Sequence, residues 1–229
     1  MTSENSYEWK PLEKTDEASF VDVFSVPILQ VQLNLNIEQM TEFCFDMWGK
    51  DKEGKQKTNI GGWHSNNIIT EEHSEFQKLI IEIRKYTSTY QSRVGFKKEL
   101  DPVICDAWIN FNEKNNSNSG HIHAGNEVVF SGTYYVKADD PLNCGPIVFQ
   151  HPLAPYLNVM WKIKDMEKMN MINSNEIVIH PKPNLLLMFP SWLHHSVLPN
   201  NTNSTRISMS FNTMYHSLFF EKYAKSEKS

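Results

Sequence analysis

Up to about residue 100 the apolar positions recur three and four residues apart; from Val103 onward they alternate or gather in short runs. After Asn36, the residues Ile37, Met40, Cys44, Met47 and Trp48 fall on one helical face. Asn36 suits an N-cap, with Gln39 three residues on and Gly49 at the exit. A second stripe follows Thr70 and carries Phe76, Leu79, Ile80, Ile83, Tyr86 and Tyr90. Its Glu71 and Glu72 suit the electropositive first turn of a helix. Both stripes read as core-facing packing surfaces.

Beyond Val103 the runs VICDAWINF, VVFSGTYYVKA, GPIVFQ, NEIVIH, NLLLMF, HSVLP and RISMSFNTM are separated by Asn, Gly and Pro. Short strands without alternating helices predict a mainly β fold, an antiparallel jelly roll supported by the two N-terminal helices. FSVPILQVQL and TNIGGWHSNN are expected to add edge strands. Residues 152–175, methionine-rich with Pro152, Pro155, Tyr156 and Trp161, form the one long irregular stretch. They read as a lid over a cavity mouth or as a disordered insertion. Polar residues 1–18 and 221–229 are expected to be mobile ends around one domain, residues 19–220.

Composition narrows the function classes. The chain has 229 residues, a formal net charge of −5 and a pI near 6.0. Lysines and arginines are scattered, so no basic patch suggests nucleic-acid binding. Cys44, Cys105 and Cys144 lie far apart, which predicts neither a disulfide framework nor a zinc knuckle. The start MTSENSYEWK lacks the basic, then apolar plan of a signal peptide, and no apolar run is long enough for a membrane helix. A cytoplasmic protein is expected. The abundance of asparagine fits an AT-rich coding genome, such as that of a phage acting in its host's cytoplasm.

Three segments carry candidate chemistry. In extended backbone His121 and His123 point to one face while Ile122 points to the other, and two imidazoles make half a transition-metal site. Downstream, His195 opens a short strand after the proline turn of FPSWLHHSVLP, with His194 facing the opposite way. Alternation in RISMSFN sets Arg206, Ser208 and Ser210 on one face. Were that face interior, the guanidinium would need an anion, and the distal carboxylate of a dicarboxylate would suit it. Each segment alone also fits a plainer role: polar residues at a strand end, an arginine on an exposed face, or packing tyrosines in SGTYYV.

Taken in order, HIHAGNEVVFSGTYYV, FPSWLHHSVLP and RISMSFN, with GGWHS upstream, resemble the iron(II)- and 2-oxoglutarate-dependent oxygenase superfamily. Within it they are similar to a family of uncharacterised bacterial and phage proteins. That family shares H-x-H, S-G-x-Y-Y, F-P-S-W-L-x-H-x-V-x-P and R-I-S-x-S-F-N. The likeness spans roughly Phe24 to Met214 and is dense in the second half. It implies a double-stranded β-helix, Fe(II) as cofactor, 2-oxoglutarate as cosubstrate, and dioxygen consumed in hydroxylating a prime substrate that the sequence leaves unnamed. By the same resemblance His121 and His195 are metal ligands, Arg206 binds the 2-oxoglutarate carboxylate, and Ser208 and Tyr135 assist it. No catalytic residue is implied beyond the metal centre.

Position 123 departs from the superfamily, which usually has Asp or Glu there. The third ligand is then His123, or Glu127 if its loop folds back. Two other classes stay open: a three-histidine dioxygenase that uses no 2-oxoglutarate, and a non-catalytic jelly-roll domain. His64 in GGWHS could border the cavity, whereas His73, His151 and His180 read as surface or strand-end residues.

Overall fold

Every strand pairing in the described structure is antiparallel, and two sheets lie face to face. The computed structural model describes Ala18, Phe20 and residues 23–123 and 127–215. The expected mobile ends lie almost wholly outside these residues. In chain order the elements are β1 (Leu29–Gln32), α1 (Ile37–Lys50), β2 (Asn59–Ile60), β3 (Trp63–His64), α2 (Ser74–Val94), β4 (Pro102–Asn112) and β5 (Ser117–His121). They continue with β6 (Val128–Lys137), β7 (Ile147–Gln150), α3 (Ala154–Met160), β8 (Glu176–Ile179), β9 (Leu185–Pro190), β10 (His195–Val197) and β11 (Arg206–Tyr215). One sheet has the order β1-β9-β6-β11-β4-β3 and the other β2-β5-β10-β7-β8. This is the mainly β jelly roll expected from the strand texture.

The two helices cover the outer face of the six-stranded sheet. Met40, Phe43 and Cys44 of α1 and Phe76, Leu79, Ile80, Ile83 and Tyr90 of α2 pack with Ile109, Phe111, Phe130, Tyr134, Ile207, Met209 and Phe211. Period-2 alternation therefore sends the opposite set, Arg206, Ser208, Ser210 and Asn212, into the space between the sheets. A second apolar cluster, with Tyr135, Ile147, Phe149, Leu187, Phe189 and Leu193, fills part of that space.

Local signals explain the helix ends, with two corrections, the first being that Gly49 lies inside α1, which runs to Lys50 and is capped by Asp51. Asn36 caps α1, its Oδ1 accepting from Gln39 N–H at 3.1 Å, and its own N–H donates to Glu75 Oε2 at 3.0 Å. That second bond ties the start of α1 to α2. The expected start of α2 after Thr70 moves to Ser74, because fully buried Ile68 pins the preceding loop. Its N–H donates to Ala107 O at 2.9 Å and its carbonyl accepts from Glu71 N–H at 3.0 Å, so Glu71 closes a turn instead of opening a helix. Gly95 ends α2 at φ 82°, the left-handed conformation open to glycine.

Gly132 in β6 is needed for room. A Cβ there would lie 2.5 Å from Leu187 O and 2.3 Å from Phe211 Cζ. Gly132→Ala is expected to cost about 1–3 kcal/mol through overpacking. In urea unfolding the midpoint should fall while the slope stays unchanged, and an unshifted midpoint would contradict the packing described.

Candidate metal centre

His121 and His195 converge because of strand register. They are direct cross-strand partners on β5 and β10, and residues so paired carry neighbouring side chains on one face. His123 lies two residues beyond His121, its N–H donating to Ser191 O at 2.8 Å. Ring centroids are 4.4 Å apart for His121 and His195, 4.9 Å for His121 and His123, and 5.2 Å for His123 and His195. The ligand atoms all lie within 4.8 Å of one another. A point about 2.8 Å (4.8/√3) or less from each therefore exists, close to the ~2.1 Å of metal–imidazole bonds.

Backbone carbonyls set the tautomers. His121 Nδ1 lies 2.8 Å from Ser119 O and His195 Nδ1 lies 2.9 Å from Leu193 O. A carbonyl only accepts, so each Nδ1 carries the proton and each Nε2 keeps a free lone pair for a metal. Gly120 leaves space for His194, since a Cβ there would meet its ring at 2.6 Å. His194 is exposed, whereas His195 is only 5% exposed.

Burial favours the neutral form of all three rings. It pushes His195 down to about 3 and His123 to about 4, the neighbouring imidazoles adding to the effect, and it lowers His121 as well. At pH 6 an ordinary imidazole is mostly protonated and must lose that proton to bind a metal. Here few protons should be released. Calorimetric titration of iron(II) at pH 6 in two buffers of different ionisation enthalpy should give nearly equal heats. A release of two or more protons per metal would contradict this.

Glu127, the alternative carboxylate, stands exposed at φ 70° just before β6, and among the described residues no carboxylate joins the three histidines. Arg206 faces the same cavity at 2% exposure. Its Nη1 donates to Asn112 Oδ1 at 2.9 Å, its Nε has no hydrogen-bond partner, and none of the described ion pairs includes it. Asn112 in turn donates to Asn118 Oδ1 at 3.2 Å. Tyr135 is fully buried with its hydroxyl unpartnered, and its ring centroid is 5.2 Å from the guanidinium carbon. Ser208 is 1% exposed and pairs with Tyr135 across β11 and β6. The result is a buried cation with hydroxyls beside it and no anion.

The cavity, about 310 Å³, is also lined by His64, Asp106, Trp108, Asn110, Thr133 and Phe189. Of these the sequence singles out His64 alone, whose ring stacks on Trp108 at 5.5 Å and 10°. Asp106, Asn110 and Asn112 were legible in principle, as polar residues at even spacing on one face of a strand otherwise largely apolar. Residues 152–175 contain α3 and a short 3-10 turn at Ile163–Asp165, so they are not wholly irregular. Pro155 takes the second helical position, where its missing N–H removes no helical bond. Tyr156 and Trp161 are exposed.

Residues 106–212 match the sequence model of the family described as "Putative 2OG-Fe(II) oxygenase". No curated protein sequence matches the chain. Among solved structures it is similar to a prolyl-4-hydroxylase of Pseudomonas putida, at 12% identity and TM-score 0.57, covering 84% of this chain and 94% of that one. It is similar to the viral collagen prolyl hydroxylase of Paramecium Bursaria Chlorella virus-1, at 12% identity and TM-score 0.55, covering 82% and 96%. The α-ketoglutarate-dependent epimerase SnoN of nogalamycin biosynthesis shares 11% identity at TM-score 0.58, covering 83% and 77%. Likeness at this identity shows the fold. Its occurrence in both hydroxylases and an epimerase leaves the reaction to be argued from the site.

Proposed function

Because residues 106–212 match the model of the family described as "Putative 2OG-Fe(II) oxygenase", we propose that this chain belongs to it, that His121, His123 and His195 hold its iron and that Arg206 anchors its 2-oxoglutarate. The chain is an Fe(II)- and 2-oxoglutarate-dependent oxygenase, and hydroxylation is the reaction we assign to it. When bound, the iron and 2-oxoglutarate supply the activation of dioxygen and the oxidation of substrate, with succinate and carbon dioxide as by-products. The redox chemistry is theirs, and the protein contributes binding, orientation and electrostatics.

The observation that carries this reading is the unpaired Arg206 in the same cavity as the three histidines. A buried guanidinium without an anion is very costly, and the distal carboxylate of 2-oxoglutarate supplies one in a geometry the planar fork accepts. The Ser208 and Tyr135 hydroxyls would donate to that carboxylate, and Asn112 orients the guanidinium through Nη1. Phe189 and Ile147, both of the second apolar cluster, give the cavity part of its apolar lining.

Three neutral imidazoles leave the full charge of the ion on the site, unlike a set containing one carboxylate. That strengthens the attraction for an anionic cosubstrate. A three-histidine dioxygenase without 2-oxoglutarate would leave Arg206 unpaired, so the dicarboxylate reading is preferred. The free thiols of Cys44 and Cys144 support action in a reducing cytoplasm. Among the described residues no helix is long and apolar enough to cross a membrane.

The test is anaerobic loading with iron(II), followed by 2-oxoglutarate and air. Succinate should form only when iron is present, slowly without a prime substrate. Iron-loaded protein that forms no succinate above the metal-free control would refute the assignment.

A further inference from the structure

The cavity is polarised along its length. Facing pairs on β11 and β4 run Arg206 with Asn112, Ser208 with Asn110, Ser210 with Trp108, and Asn212 with Asp106. From β6, Tyr135, Thr133 and Ser131 join the last three of these levels. A guanidinium therefore stands at one end and a carboxylate at the other, six residues or roughly 20 Å apart along the strand. The His123 ring lies 5.8 Å from that of Trp108, which puts His123 at the third level. Asp106 is one level, roughly 7 Å, beyond it on the side away from Arg206. With 2-oxoglutarate reaching from Arg206 to the metal, the substrate occupies the Asp106 side.

Resting on the oxygenase assignment, we propose that the prime substrate carries a protonated amine, bound by Asp106. The Asp106 carboxylate lines the cavity half-buried and takes part in none of the described ion pairs. Lys55, Lys57 and His64 face it, and none pairs with it. Its burial raises the carboxyl pKa, the mark of an anion short of solvation. A cationic ligand would relieve that shortage.

Two further atoms lack partners between Asp106 and the guanidinium. Asn110 Oδ1 and Thr133 Oγ1 belong to side chains 7% and 5% exposed, and neither makes a hydrogen bond. Asn110 Nδ2 already donates to Ser210 Oγ at 3.2 Å, which leaves its carbonyl oxygen as a pure acceptor. Thr133 stands at the Ser210 level and Asn110 one level nearer Arg206, so the ammonium itself falls to the Asp106 carboxylate, which only accepts while an ammonium only donates. A neutral hydroxyl would supply one donor and no charge, and an anionic head would be repelled by Asp106. Trp108, neighboured by the His64 and His123 rings, gives an apolar wall to the carbons between the amine and the oxidised position. The reacting carbon then lies a few bonds from the nitrogen.

The experiment is anaerobic calorimetry on iron-loaded protein saturated with 2-oxoglutarate, using n-butylamine, L-lysine and agmatine against 1-butanol as neutral counterpart. The amines should bind at least about tenfold more tightly than 1-butanol, as expected for hydrogen bonds to a charged group. Asp106→Asn should reduce that preference to about twofold or less while binding 2-oxoglutarate as the wild type does, which also shows that the variant is folded. Amines binding no better than 1-butanol, or binding Asp106→Asn as well as wild type, would overturn the amine subsite and leave the oxygenase assignment standing. Wild type that fails to take up 2-oxoglutarate in the first step would sink both.

Discussion

Replacing His195 with alanine should abolish iron binding and leave the fold intact. His195 opens β10, lies 5% exposed between the sheets, and presents a free Nε2 because its Nδ1 proton is held by Leu193 O. Without it, only His121 and His123 remain to hold the ion. Losing a residue that merely orients a ligand costs about 10–100-fold in metal affinity, so losing a ligand should cost more than about a hundredfold. The truncated side chain is held neutral, so no stranded charge is created and stability should change modestly. Iron retained after anaerobic loading and gel filtration measures the effect, with circular dichroism as the folding control. His121→Ala should behave alike. His123→Asp should keep its iron, because two histidines and one carboxylate form an established iron(II) set. Full iron retention by His195→Ala would remove the residue from the ligand set.

Arg206→Lys should weaken 2-oxoglutarate binding while iron binding survives. The substitution keeps the charge but loses the planar fork, and with it the Nη1 bond to Asn112 Oδ1 and the Nε donor that now lacks a partner. Loss of a hydrogen bond to a charged group costs roughly 1.5–3 kcal/mol, about tenfold to more than a hundredfold in affinity. Arg206 is not a ligand, so the iron content should match wild type. Anaerobic calorimetry gives the ratio directly, and equal affinities for the two proteins would release Arg206 from this role.

Much of the fold was legible because burial writes itself into sequence with a period. The strands β4, β6, β9 and β11 lie where alternating or continuous apolar runs predict them, since both of their faces are covered. β5 left no such trace. Its sequence SNSGH has no apolar residue, and its place between β2 and β10 is set by backbone pairing and by Asn118, which accepts from Asn112. α3 was hidden by Pro152 and Pro155, which read as breakers, although one of them stands in the first helical turn where proline fits.

The candidate site was legible in part for a related reason. His121 and His123 are close in sequence, but the register that pairs His121 with His195, 74 positions away, is a property of the folded sheets. Asp106 gave no signal as a single residue. Its meaning comes from standing opposite Asn212 at the far end of the row that begins with Arg206.

The most direct test of the central claim is an anaerobic titration of 2-oxoglutarate into the iron-loaded wild type, followed by visible absorption. A metal-to-ligand charge-transfer band should grow and saturate at one equivalent, as expected when one dicarboxylate joins the iron and Arg206. A spectrum that stays unchanged through a large excess of 2-oxoglutarate would contradict it.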